Sequence, residues 1–154
     1  MTERIKDPHT HAPGGVKAML ALEAALAESG LSYTLIELVK LRASQINGCA
    51  NCIHMHTTAL RARGEAEMRL YMLNAWREST LYSERERAAL GWTEALTRVA
   101  ETGAPDSAYA PLAANFSDSE IVSLTLLIGA INTWNRLAVG LRLGHPAYEA
   151  TAAA

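Results

Sequence analysis

Apolar residues recur along most of this chain every three or four positions, the spacing that lines one side of an α-helix, and no stretch alternates as a strand would. "GGVKAMLALEAALAESG" is an Ala/Leu helix bounded by glycines. A second helix runs from about Thr34 to Ile46 and stops at Asn47-Gly48, residues suited to a left-handed helix end. A third begins near Cys49 and runs to Arg63, with Gly64 as its stop, and a fourth covers roughly Glu65 to Glu78. The fifth opens at Ser83 with Glu86 three residues on, and the last at Ser117 with Glu120 three residues on. Both have the spacing of a capping box. Between these two, "ETGAPDSAYAPLAANF" reads as a Pro/Gly-punctuated connection. The expectation is an all-α, single-domain bundle of about six helices over residues 15–154, preceded by a loose arm over residues 1–14 that holds His9 and His11.

Size and composition fit that picture. A chain of 154 residues buries roughly two thirds of its unfolded surface as one domain. With 49% hydrophobic and 19% charged residues it has the make-up of an ordinary folded protein. A net charge of −2 gives no electrostatic reason to expect a nucleic acid or an anionic membrane as partner. The first residues are polar, unlike a secretory signal, and the apolar run Ile121 to Ile131 is too short to span a bilayer. The expected compartment is the cytoplasm, where two close cysteines more often mean redox or metal chemistry than a structural staple.

Those cysteines lie in "NGCANCIHMH" and are the only two in the chain. On a helix at about 100° per residue with Cys52 at the origin, Cys49 falls near 60° and His56 near 40°, whereas His54 points away at about 200°. Met55, Ala59, Leu60 and Ile53 make the rest of that face apolar, so it should meet protein rather than water. The first turn of a helix favours thiolate over thiol through its free N–H groups and dipole. An imidazole one turn on can move the proton, and a second sulfur three residues back can trap an oxidised one as a disulfide. Two other readings use the same residues: an inert buried pair, or a zinc site that needs Glu37 or a second subunit to complete four ligands. No Gly-rich phosphate loop is present and the cysteines are too few for an iron–sulfur cluster, so no cofactor is expected.

Glu37, Cys49, Cys52 and His56 together read Glu-x11-Cys-x-x-Cys-x3-His within "ELVKLRASQINGCANCIHMHTTALRARGE". This pattern resembles the alkyl hydroperoxidase D (AhpD-like) family of the carboxymuconolactone decarboxylase superfamily, from about Leu31 to Glu65. The likeness is looser through "SDSEIVSLTLLIGAINTWNRLAVGLR". The resemblance implies an all-α subunit that forms trimers or hexamers and reduces hydroperoxides, with an external dithiol as reductant. Carried over by position, Cys52 attacks the peroxide, Cys49 resolves it, and Glu37 and His56 relay protons. Asn51 stands where the best-known members have a histidine, and asparagine hydrogen-bonds but does not shuttle protons at neutral pH. The same scaffold allows two rivals: a lyase of the carboxymuconolactone decarboxylase kind, or a non-enzymatic protein whose disulfide switches its assembly.

Glu37 also has a purely local reading. Thr34-x-x-Glu37 has capping-box spacing, and Glu37 lies opposite the apolar face of Leu35, Leu38, Val39 and Ile46, where a solvated carboxylate belongs. On the last helix, Asn132, Asn135 and Arg136 fall within the apolar stripe of Ile121, Ile128 and Val139. Polar groups there need partners, and a hydrogen-bond network between helices or subunits is the expected one. Tyr71, Trp76, Tyr82 and Trp92 are read as core or interface packing, and His54 as solvated or helix-packing.

Overall fold

The long helix that carries Glu37 is the centre of the fold, and the other helices surround it. In this computed structural model residues 2–145 are described, and the last stretch of the expected domain, 146–154, lies outside them. In chain order the helices are α1 (Pro8–His11), α2 (Pro13–Ala27), α3 (Tyr33–Asn47), α4 (Ala50–Ala62), α5 (Glu67–Met72), α6 (Glu84–Thr97), α7 (Val99–Thr102), α8 (Asp106–Asn115) and α9 (Asp118–Leu141). A single 3₁₀ turn, Leu73–Ala75, follows α5, and among the described residues there is no strand.

Local chemistry sets where the helices begin and end. Ser83 and Ser117 each accept from the backbone N–H of the glutamate three residues on, and each glutamate returns a bond to the cap's own N–H. Both capping boxes expected from the sequence are therefore formed. At α3 the cap is Ser32, whose hydroxyl accepts from Leu35 N–H at 3.3 Å. That corrects the Thr34 capping reading: Thr34 already lies inside the helix, and Glu37 is free for another task. Gly48 closes α3 at φ +65°, a left-handed conformation that only glycine adopts without strain. The chain then reverses at once into α4, with Cys49 as the cap.

Two apolar clusters flank α3. On one side Leu35, Ile36 and Val39 pack with Trp92 of α6 and Leu124, Leu127 and Ile128 of α9. On the other, Leu38 and Leu41 meet Leu60, Leu73, Trp76 and Leu90. Nine residues of α3 are buried, including Glu37, Arg42 and Ser44, so it has no solvated face. Arg42 is accommodated by Glu94 at 2.9 Å, Asn74 at 2.8 Å and Gln45 at 3.1 Å. Trp76, Tyr82 and Trp92 are core residues as expected, whereas Tyr71 is 67% exposed in the single chain.

Three segments depart from the sequence pattern. The fourth helix is shorter than Glu65–Glu78, passing into the 3₁₀ turn after Met72. The connection before α9 contains α8, with Pro111 inside it. An interior proline costs about 3 kcal/mol, but fully burying Leu112 and Phe116 returns about 1.5–3 kcal/mol each, so packing decides. The N-terminal arm is docked rather than loose: Arg4 N–H donates to Leu141 O at 3.0 Å, its guanidinium to Gly140 O at 3.0 Å, and Gly144 N–H to Glu3 at 3.0 Å. No helix among the described residues is long and apolar enough to cross a membrane.

Replacing Gly48 with alanine meets no neighbouring atom but forces a side chain into the left-handed region. Gly48→Ala is expected to lower the unfolding free energy by about 1–2 kcal/mol, read from the urea midpoint at constant m-value.

Candidate active site

The reversal at Gly48 lays α4 back along α3 and places both sulfurs at the opening turn of α4. Cys49 is the N-cap: its Sγ accepts from Cys52 N–H at 3.4 Å, the bond a serine or aspartate would accept in that position. Both thiols are free, and only 1% of Cys49 and 5% of Cys52 is exposed. Ala138 and Leu143 pack against the pair. One turn further, His56 Nδ1 lies 2.8 Å from Glu37 Oε2. The structure thus brings together all four residues singled out in the sequence. His54 is exposed on the other side, its ring meeting His145 edge-on at 4.9 Å.

Glu37 is 6% exposed, which overturns the solvated reading. Its burial follows from the position of α3 in the middle of the bundle, where the face opposite the apolar stripe is covered by α4. A buried carboxylate needs compensation. His56 supplies it on one oxygen, and Lys40 Nζ lies 3.7 Å from the other. Lys40 also bonds Glu23 of α2 at 2.5 Å, and Glu23 accepts from Trp134 Nε1 at 3.2 Å. Lys40 and Glu23 were not singled out from the sequence. The only signal for Lys40 was its place one turn after Glu37.

With Nδ1 turned to the carboxylate, Nε2 is the nitrogen His56 has left for chemistry. His56 and Cys52 line one cavity of about 360 Å³, walled largely by Leu20, Met55, Ile131, Trp134 and Leu137. Pro8 and His9 of the docked arm form part of its rim, and Cys49 is not among the lining residues. A larger cavity, about 510 Å³, opens between α6 and α8, and none of these groups lines it. Size alone is a poor guide here: of these two cavities, the smaller is the one that holds a cysteine and a histidine together.

The two sulfurs are electrostatically unequal. The Cys52 S–H donates to Cys49, and with help from the Cys52 N–H, the Asn135 amide and the charge on His56 this outweighs burial and pulls Cys49 down to about 6. Cys52 is pushed far up, first by that same hydrogen bond and then by burial and by repulsion from the Cys49 thiolate. The shared hydrogen bond thus favours the thiolate on Cys49 over that on Cys52. The sulfur that is easier to ionise is the enclosed one, and the sulfur facing the cavity keeps the proton.

A central helix closed by a left-handed glycine, followed by a helix capped by the first of two cysteines with a Glu–His pair behind them, defines an AhpD-like all-α protein. The chain belongs to the carboxymuconolactone decarboxylase family, whose sequence profile matches residues 13–95. It is 41% identical over 130 residues to the uncharacterized protein YdfG of Bacillus subtilis, covering 84% of this chain and 88% of that one. Among solved structures it resembles a protein of unknown function from Agrobacterium tumefaciens, named there as a candidate antioxidant defence protein AhpD. The two are 51% identical with a TM-score of 0.91, over 96% of this chain and all of the other. An uncharacterized peroxidase-related protein from Silicibacter is 27% identical at a TM-score of 0.74, over 85% of this chain and 70% of its own.

The unequal sulfurs make a pH prediction. Below pH 6 both are thiols, and above it the pair carries one negative charge. The ultraviolet thiolate absorbance of the reduced protein should rise by one thiolate per chain with a midpoint near pH 6, and the second should appear only at strongly alkaline pH. Cys49→Ser should abolish the low step. Cys52→Ser should keep it, because serine still donates O–H and N–H to Cys49.

Proposed function

We propose that this protein is a thiol-dependent peroxidase that reduces alkyl hydroperoxides. One observation carries the reading: Cys52 and His56 open onto the same apolar cavity, with Glu37 behind the imidazole and Cys49 against the attacking sulfur. The proton in the Cys52–Cys49 hydrogen bond first passes to Cys49, leaving the Cys52 thiolate facing the cavity. That thiolate attacks the outer oxygen of R′O–OH. An S–O bond forms, the O–O bond breaks, and protonated His56 gives its proton to the leaving alkoxide, which departs as R′OH. His56 next takes the proton of Cys49, and the freed thiolate attacks the sulfenic sulfur of Cys52. The S–S bond forms, and the expelled hydroxide takes the proton back from His56 as water. Cysteine is oxidised, the peroxide is reduced, and an external dithiol restores the pair.

Glu37 steadies the charge that His56 carries in this cycle and orients its ring, the task of the carboxylate in other acid–base dyads. The apolar wall favours organic hydroperoxides. Exposed Val122 and Leu126 on the outer side of α9, and exposed Val139 near its C-terminal end, suit a homo-oligomer, a trimer or hexamer by the family resemblance. The setting we assign is the cytoplasm, where dithiol reductants are available.

Titrating the reduced protein with an alkyl hydroperoxide and counting free thiols tests the cycle. Two thiols per chain should be lost in the wild type, none in Cys52→Ser, and in Cys49→Ser the sulfenic acid should persist until trapped. Thiols that survive an excess of several hydroperoxides would remove the peroxidase reading, and an activity indifferent to Cys52→Ser would point instead to lyase chemistry on the same scaffold. Glu37→Gln should slow hydroperoxide consumption about 10²-fold while leaving the thiolate step near pH 6 in place.

A further inference from the structure

Two distant parts of the chain close the end of α9. A helix leaves its last four carbonyls without partners of its own, here those of Ala138, Val139, Gly140 and Leu141. The first two are satisfied locally. Arg142 turns left-handed at φ +55°, its N–H donates to Val139 O at 3.3 Å, and the Leu143 N–H donates to Ala138 O at 2.9 Å. This is the pairing of a Schellman turn. Gly140 O and Leu141 O are left over, and Arg4 of the N-terminal arm takes both. Its guanidinium donates to Gly140 O and its backbone N–H to Leu141 O, each at 3.0 Å. On the far side of the turn the Glu3 carboxylate accepts from Gly144 N–H at 3.0 Å.

A turn of this kind gains from being held. Its left-handed residue is an arginine, where a glycine would be unstrained. The charge on Arg4 also suits the negative end of the helix dipole. What the turn carries is Leu143, which packs against Ala138, Cys49 and Cys52 and lines the cavity shared by Cys52 and His56. Further along the arm, Pro8 and His9 line the same cavity. The bonds made by Glu3 and Arg4 therefore join two segments that each form part of the wall beside the sulfur.

We propose that Glu3 and Arg4 are positioning residues that set how large a molecule can reach Cys52. By clamping the turn at the end of α9 they hold Leu143 against the cysteine pair and the arm against the cavity. Neither residue lines the cavity, so they act through Leu143, Pro8 and His9. Loosening the clamp frees both segments at once and widens the approach to the sulfur. Its consequence for substrates, a preference for small hydroperoxides over bulky ones, rests on the peroxidase reading. The clamp itself does not.

The first test needs no peroxide. In a Cys49→Ser background Cys52 is the sole thiol, and its alkylation rates with iodoacetamide and with the bulkier N-phenylmaleimide are compared at one pH. Both reagents meet the same thiolate, so the ratio of their rates reports access rather than acidity. Adding Glu3→Ala and Arg4→Ala together should raise the bulky-to-small ratio about tenfold, the change in open population expected from losing one hydrogen bond of a charged group. Ser83→Ala, which removes the α6 capping box and does not line the cavity, should leave the ratio where it is. An unchanged ratio in the folded double variant, or an equal rise in Ser83→Ala, would overturn the proposal. If the double variant does not fold, Arg4→Ala alone is read in the same way. With both cysteines present, the double variant should consume a bulky hydroperoxide faster relative to a small one. A raised alkylation ratio with no hydroperoxide consumed by any form keeps the clamp and removes the peroxidase reading.

Discussion

The site depends on a chain reversal made by one residue without a side chain. Gly48 ends α3 in the left-handed conformation at φ +65°, and Cys49 opens α4 on the next residue. At about 1.5 Å per residue, Glu37 lies some 16 Å back along α3 from that turn and His56 some 12 Å along α4. Two antiparallel helices packed side by side therefore bring the carboxylate and the imidazole within 2.8 Å. The same turn leaves the first N–H groups of α4 without carbonyl partners, and a sulfur takes the place where an oxygen usually caps. Relay geometry and thiol acidity thus share a single cause.

Enclosing such a site requires that charge be compensated inside the bundle. Among the described residues no buried side-chain nitrogen or oxygen lacks a hydrogen-bond partner. Two polar strings achieve this around the cysteines. One runs Trp134–Glu23–Lys40–Glu37–His56 and alternates acid and base along the cavity wall. The other runs Arg136–Asn132–Asn47–Asn135 and stays neutral except at its far end. The first links α9, α2, α3 and α4, and the second joins the end of α3 to α9.

The cavity is bounded by parts distant in the chain: the arm, α2, α4 and α9. Docking of the arm on the end of α9 makes Pro8 and His9 part of the cavity wall. Its walls are largely apolar, and the titratable groups on them besides Cys52 are His9, Glu23, Lys40 and His56. Under the proposed function, such walls favour an organic hydroperoxide beside the Cys52 sulfur.

Much of this was legible in the sequence because it is local. Helix periodicity, the two capping boxes, the glycine stop and the shared face of Cys49, Cys52 and His56 follow from spacing along one element, which backbone geometry dictates. What could not be read is which side of each element meets another. Glu37 lies opposite the apolar stripe of α3, and within one helix that position means solvent. It is buried because α3 is surrounded, a property of the assembled bundle. Helix α8 forms around Pro111 because Leu112 and Phe116 find the core, and Asn135 meets Ser44 and Asn47 because α9 crosses that end of α3. Composition and spacing determined that this chain is helical and carries a thiol pair at a helix start. Only tertiary packing decided which sulfur faces the cavity and which is the more acidic, because burial and hydrogen bonding depend on neighbours that chain order does not specify.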